Sequence, residues 1–176
     1  MSKVINVLIT IDTDRVIKDN PSPSKDSGSP ISIPHDGYGF MVASGTTVNS
    51  GQGSGTLNFN AIEGDVVRVF AVSGSGNFED GVLLYGMPKF QGDQVMSTFN
   101  YAVFHDKSTI VPAGTTAALP AVNGQETFWF FEANVDEPKG TEQYQVQFGL
   151  YTRDAVKGDP VLYGYFQWDP TITVGG

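Results

Sequence analysis

Residues 142–152 read EQYQVQFGLYT, and this run decides the fold. Tyr144, Val146, Phe148 and Leu150 alternate with Gln143, Gln145, Gln147 and Gly149, a period of two that sets one face on a core and the other in water. A helix would need apolar residues three and four apart, so the run predicts a half-exposed antiparallel strand. The polar Gln143, Gln145 and Gln147 face invites lateral pairing if the strand lies at a sheet edge.

The same alternation recurs outward from this run. Val161–Trp168 sets Leu162, Phe166 and Trp168 against Val161, Tyr163 and Tyr165, and Thr56–Ala61 sets Leu57, Phe59 and Ala61 against Thr56, Asn58 and Asn60. Val66–Ser73 follows the Gly64-Asp65 turn signal and is expected as the hairpin partner of Thr56–Ala61. Gly39–Ala43, Val82–Met87, Val95–Phe104 and Thr127–Val135 complete the strands, each bounded by Gly, Pro, Asn or Asp. In Val4–Ile11 both the Ile5, Val7, Ile9, Ile11 face and the Val4, Leu8 face are apolar, which predicts a central strand covered on both sides. About nine segments at short spacing imply an all-β fold, an antiparallel two-sheet β-sandwich of jelly-roll type with little or no helix, and a closed barrel is the alternative. Residues 1–176 read as one domain, large enough for a core without staples.

Composition agrees. Hydrophobic residues make up 40% and charged residues 16%, too apolar for a disordered chain, while 21 glycines and 10 prolines among 176 residues exclude a helical bundle. The net charge of −9 opposes binding to nucleic acid or an anionic membrane. No run reaches the roughly 18 apolar residues of a membrane span, and Val4–Ile11 lacks a signal-peptide cleavage pattern, so cytoplasmic synthesis is expected, with any release non-classical. The absence of cysteine excludes disulfides and thiolate chemistry.

Candidate chemistry sits in loops. Gly51-Gln52-Gly53-Ser54-Gly55 is followed by a strand where a phosphate cradle needs a helix, so it reads as a turn or bulge. There is neither a P-loop lysine nor a G-x-S-x-G elbow. His35-Asp36 and His105-Asp106 stand at loop edges; brought together, they would be ligand-binding groups. Asp12 and Asp14, alternating past the first strand, are the candidate metal ligands for a hard cation such as calcium, helped by Asp36, Glu79-Asp80, Asp93 or Asp106. The plainer reading is carboxylates solvating a strand end. Asp14–Asp36, stiffened by four prolines, is the longest irregular stretch, and Lys107–Gln125 is a second connection. Phe128-Trp129-Phe130-Phe131 and the Tyr163–Trp168 aromatics serve mostly the core, with the remainder available as a sugar-stacking platform or subunit contact.

Several words carry a family likeness: Ile5-Asn6-Val7-Leu8 with Ile11-Asp12-Thr13, Pro21-Ser22-Pro23-Ser24-Lys25-Asp26, Gly51-Gln52-Gly53 with Leu57-Asn58-Phe59, Gly64-Asp65, Tyr144-Gln145-Val146-Gln147-Phe148 with Leu150-Tyr151, and Gly164-Tyr165-Phe166-Gln167-Trp168-Asp169-Pro170-Thr171-Ile172. They resemble the PixA/AidA family of bacterial inclusion-body proteins, and Trp168–Ile172 is the most specific of them. The resemblance implies accumulation in cytoplasmic inclusions or production under cell-density control, in host-associated bacteria, and it carries over no catalytic residue. With four methionines the chain departs from the methionine-rich inclusion proteins of nematode symbionts, which argues against a methionine store. The expectation is a non-enzymatic homo-oligomer without a cofactor. A lectin-like module binding host glycans, with or without calcium, is the second reading, and a hydrolase using paired carboxylates the third.

Overall fold

The computed structural model describes residues 2–44, 47–114, 116 and 118–175. Gly45 and Thr46, and Thr115 and Ala117 of the Lys107–Gln125 connection, lie outside the described residues. In chain order the elements are β1 (Val4–Ile11), α1 (Thr13–Asp19), β2 (Ile31–Ser32), β3 (Gly39–Ala43), β4 (Val48–Ser50), β5 (Thr56–Phe59), β6 (Val66–Ser73) and β7 (Gly81–Gly86). They continue with β8 (Lys89–Gly92), β9 (Asn100–Pro112), β10 (Ala121–Asn134), β11 (Gly140–Tyr144), β12 (Val146–Arg153), β13 (Pro160–Trp168) and β14 (Thr171–Val174).

The all-β expectation holds, but two antiparallel sheets of about nine strands give way to three mixed sheets: β3-β1-β6-β10-β9 (sheet I), β4-β5-β14-β11-β8 (sheet II) and β2-β13-β12-β7 (sheet III). Each contains one parallel pair, β1 with β6, β5 with β14, and β2 with β13. Sheets II and III share a seam. The chain crosses it at Met87-Pro88 between β7 and β8, at Gln145 between β11 and β12, and at Asp169-Pro170 between β13 and β14. Proline has no N–H to give a ladder, and here the two proline carbonyls instead accept from the neighbouring strand, Pro88 from the Gln145 N–H at 2.8 Å and Pro170 from the Tyr144 N–H at 3.2 Å. The run 142–152 is therefore two strands, and both are interior, since β11 lies between β14 and β8 and β12 between β13 and β7. Its glutamines occupy no free edge.

One hydrophobic cluster joins the three sheets, with Ile9, Met41 and Val69 from sheet I, Leu57 and Tyr144 from sheet II, and Phe148, Phe166 and Trp168 from sheet III. The expected β5–β6 hairpin is absent, because β5 belongs to sheet II and β6 to sheet I. Asp65 between them is fully buried, its carboxylate accepting the N–H groups of Lys3 at 2.8 Å and Ile62 at 3.0 Å. Those bonds satisfy the backbone of a crossing between layers where a surface turn would use water.

Asp14–Asp36 is not wholly irregular. Asp12 caps α1, Asp14 lies in its first turn and Lys18 in its last, an arrangement that suits the helix dipole. The remainder of the stretch covers an edge: the Ser24 carbonyl accepts from the Tyr165 N–H at 2.9 Å, and Lys25 Nζ donates to the Leu162 carbonyl at 3.0 Å. Covering β13 in this way removes a template for unwanted strand pairing. The Gly51-Gln52-Gly53 turn is as expected. Gly51 has φ +83°, and the Gln52 side-chain amide pairs with both backbone groups of Ala43, at 2.9 and 2.6 Å, so it substitutes for a neighbouring strand.

Candidate functional site

His35 and His105 occupy separate parts of the fold. His35 stands at the seam, where its Nδ1–H donates to the Asp169 carbonyl at 2.7 Å and its Nε2 meets the Thr56 hydroxyl at 3.1 Å. The Trp168 indole N–H donates to the His35 carbonyl at 2.7 Å. These bonds tie the 33–38 segment to sheets II and III, so the imidazole is engaged in the structure. Asp36 beside it projects into solvent, 4.0 Å from Nε2. His105 lies on β9, 3.4 Å from the Thr127 hydroxyl, and Asp106 adopts φ +53° at the irregularity opposite Thr127.

Asp12 and Asp14 do share a hollow, of about 370 Å³, lined also by Thr10, Ser75, Glu79 and Asp80. The Asp12 carboxylate there accepts the Arg15 N–H at 3.0 Å. Among the described residues no three carboxylate or imidazole groups come together as a metal site.

Two arrangements escaped the sequence. On sheet III, Tyr85, Tyr151 and Tyr165 surround Gly149 in a hollow of about 200 Å³ whose lining carries no charged side chain. Tyr85 and Tyr165 meet edge to face at 5.5 Å. Burial, and then the neighbouring Tyr165, hold the Tyr85 and Tyr151 hydroxyls above their usual pKa. The period-two spacing of Tyr163 and Tyr165 hinted at such a platform, but Tyr85 and Tyr151 come from other strands.

The second arrangement is the outer face of sheet I. Leu8 on β1 pairs across the sheet with Val42 on β3 and Phe70 on β6. The Phe70 ring meets Phe130 at 5.0 Å, and Phe130 stacks on Phe104 at 5.6 Å, so one apolar row crosses all five strands. The opposite face of the same strands, with Val7, Ile9, Met41 and Val69, is the core. Val4, Leu8, Val42, Phe104 and Phe128 are between 36% and 47% exposed. The expectation that β1 is central is met, but among the described residues nothing covers its Val4 and Leu8 side. Expected strands also shift here. Val95–Phe104 begins as a strand only at Asn100, and the Lys107–Gln125 connection is largely a hairpin, because β9 and β10 run on together as an arm from Ala102 opposite Phe130 to Pro112 opposite Ala121.

The fold and these surfaces define a β-rich protein that, among the described residues, presents a partly exposed apolar sheet face and a projecting arm. A family model described as PixA, inclusion body protein, matches residues 3–174, and the chain belongs to that family. It is also similar to the crystal structure of the PixA inclusion body protein from Burkholderia cenocepacia J2315, at 29% identity and a TM-score of 0.82, over 98% of this chain and 96% of that one. No curated protein matches. No helix among the described residues is long and apolar enough to cross a membrane.

Proposed function

We propose that the chain is a non-enzymatic, self-associating protein that builds inclusions in the cytoplasm of host-associated bacteria, made under cell-density control. The observation that carries self-association is the uncovered apolar row across sheet I, since contiguous exposed apolar surface on a folded protein marks an interaction site. Host association and density control rest on the family likeness. Sedimentation velocity at tens of micromolar is expected to give a species heavier than the monomer; a monomer across that range overturns the reading.

A second reading, a lectin-like module, is favoured by the uncharged tyrosine hollow around Gly149. Its aromatic faces suit the C–H side of a neutral pyranose and its hydroxyls the polar rim. That reading expects saturable tyrosine-fluorescence changes with methyl glycosides that vanish in Tyr165→Ala, with chelation reporting any calcium requirement. A flat titration to about 50 mM, where even weak millimolar affinity would register, removes it.

A further inference from the structure

The geometry points to a second copy of this chain as the cover of sheet I, the two outer faces meeting about a two-fold axis while each β9–β10 arm lies across its partner. This rests on the self-association proposed above and names the surface that performs it.

Charge supplies the first argument. Each chain carries −9, so two copies repel unless the surfaces that meet are locally neutral. The apolar row itself carries no net charge, whereas Asp12, Asp14, Glu79 and Asp80 line the hollow beside Thr10 and Phe40 at one end of the face. Arg68 pairs with Glu132 at 2.6 Å, and on the arm Lys107 stands opposite Glu126 with its ammonium 5.3 Å from the Phe104 ring centre. Along the row, away from those carboxylates, charges of opposite sign alternate, so the row has no net sign with which to select an oppositely charged partner and can meet an identical row.

Area supplies the second. At roughly 200 Å² for a fully exposed large side chain, the five most exposed residues of the row and its flanks present on the order of 400 Å². That is about half of what each partner gives to a standard interface of about 800 Å² per side. Half-buried Phe70 and Val72 lie between them, and Asn6 and Thr10 on the same face of β1 supply a polar fringe of the kind interfaces carry.

The arm supplies the third. Beyond Phe130 opposite Ala102, β10 and β9 pair only with each other, for ten further residues of β9, a reach of roughly 30 Å. A two-stranded ribbon is marginal in water without a surface to lie on. Ile110 and Leu119 near its end are 77% and 78% exposed, which suits a ribbon seated on another molecule. A two-fold arrangement places both arms equivalently and closes the contact.

The test is sedimentation equilibrium on the full chain: wild type, Leu8→Lys/Phe104→Lys, Val42→Lys alone, and Val156→Lys in the β12–β13 turn as control. Both face variants are expected to weaken association at least about 30-fold, the scale of an interface hot spot, with circular dichroism and unfolding midpoints unchanged and the control like wild type. All substituted side chains are already partly exposed; should the double variant unfold, Val42→Lys decides. Wild-type association that both face variants retain, or that the control loses equally, overturns this interface while leaving self-association standing. A monomeric wild type overturns both.

Discussion

Glu142→Leu is expected to lower the unfolding free energy by about 3–5 kcal/mol, because it removes one partner from a buried, charged hydrogen-bond cluster. Glu142 is fully buried on β11. Its Oε1 accepts the Val95 N–H at 2.7 Å and the Met96 N–H at 3.4 Å, and lies 3.7 Å from Lys89 Nζ; Oε2 accepts the Tyr144 hydroxyl. Burial, and then the adjacent carboxylate, hold that phenol protonated well above its usual range. A leucine there leaves two backbone donors and a phenol without their acceptor, while the partly exposed Lys89 ammonium keeps its bond to Gln94 at 3.1 Å but loses the nearby carboxylate charge. The Val95–Phe99 segment is what this carboxylate fastens, and that segment leads directly into the β9–β10 arm. Glu142→Gln keeps one acceptor oxygen and is expected to cost less, about 1–2 kcal/mol. Urea unfolding of the three proteins orders them; a leucine variant within about 0.5 kcal/mol of wild type, the range of an ordinary surface change, removes the clamp from this account.

Trp168→Ala is expected to cost a further amount of similar size, about 3–5 kcal/mol, through the cavity left by the largest fully buried side chain. The indole does two things at the seam. It fills the space that Gly39 leaves, where a Cβ on Gly39 would come within 2.7 Å of the ring, and it bonds the His35 carbonyl. Because the two positions share one volume, their substitutions should not add. Gly39→Ala alone is expected to destabilise by forcing the ring aside, whereas in the Trp168→Ala background it should be nearly neutral, since the methyl group enters empty space. Thermal unfolding of the four proteins closes the cycle, and simple additivity would show that Gly39 is not what seats the tryptophan. The same contact gives the Trp168-Asp169-Pro170 word a physical meaning: an indole that plugs the core, a carbonyl that anchors His35, and a proline that ends β13 at the seam.

Much of the strand content was legible. Gly39–Ala43 and Val66–Ser73 were bounded correctly because both alternation and turn residues are local signals. The helix left a local mark too, in Asp12, Asp14 and Lys18 at cap, first turn and last turn, although its seven residues are too short for a convincing period. The seam was concealed by the regularity of the run 142–152: Glu142, Tyr144, Val146, Phe148 and Leu150 are all buried, so alternation passes through Gln145 unbroken while the chain changes sheet. Proline at positions 88 and 170 was the available sign, and it becomes readable only when three strands are known to lie side by side.

The candidate sites divide the same way. Asp12 and Asp14 line one hollow, though not as alternating residues of an extended end, since Asp12 caps α1 and Asp14 lies in its first turn. His35 and His105 were paired only by composition, and the fold sends one to the seam and the other to the arm. The apolarity of both faces of Val4–Ile11 could be read from residue order alone, as could the excess of aromatics in the second half of the chain. Which face would be covered could not. Local sequence determines the direction in which each side chain leaves its strand, since that depends on backbone geometry over two residues. Which strands become neighbours, and which of their faces remains open to another molecule, is decided by contacts between residues sixty or more positions apart, such as Leu8 with Phe70 and Phe70 with Phe130.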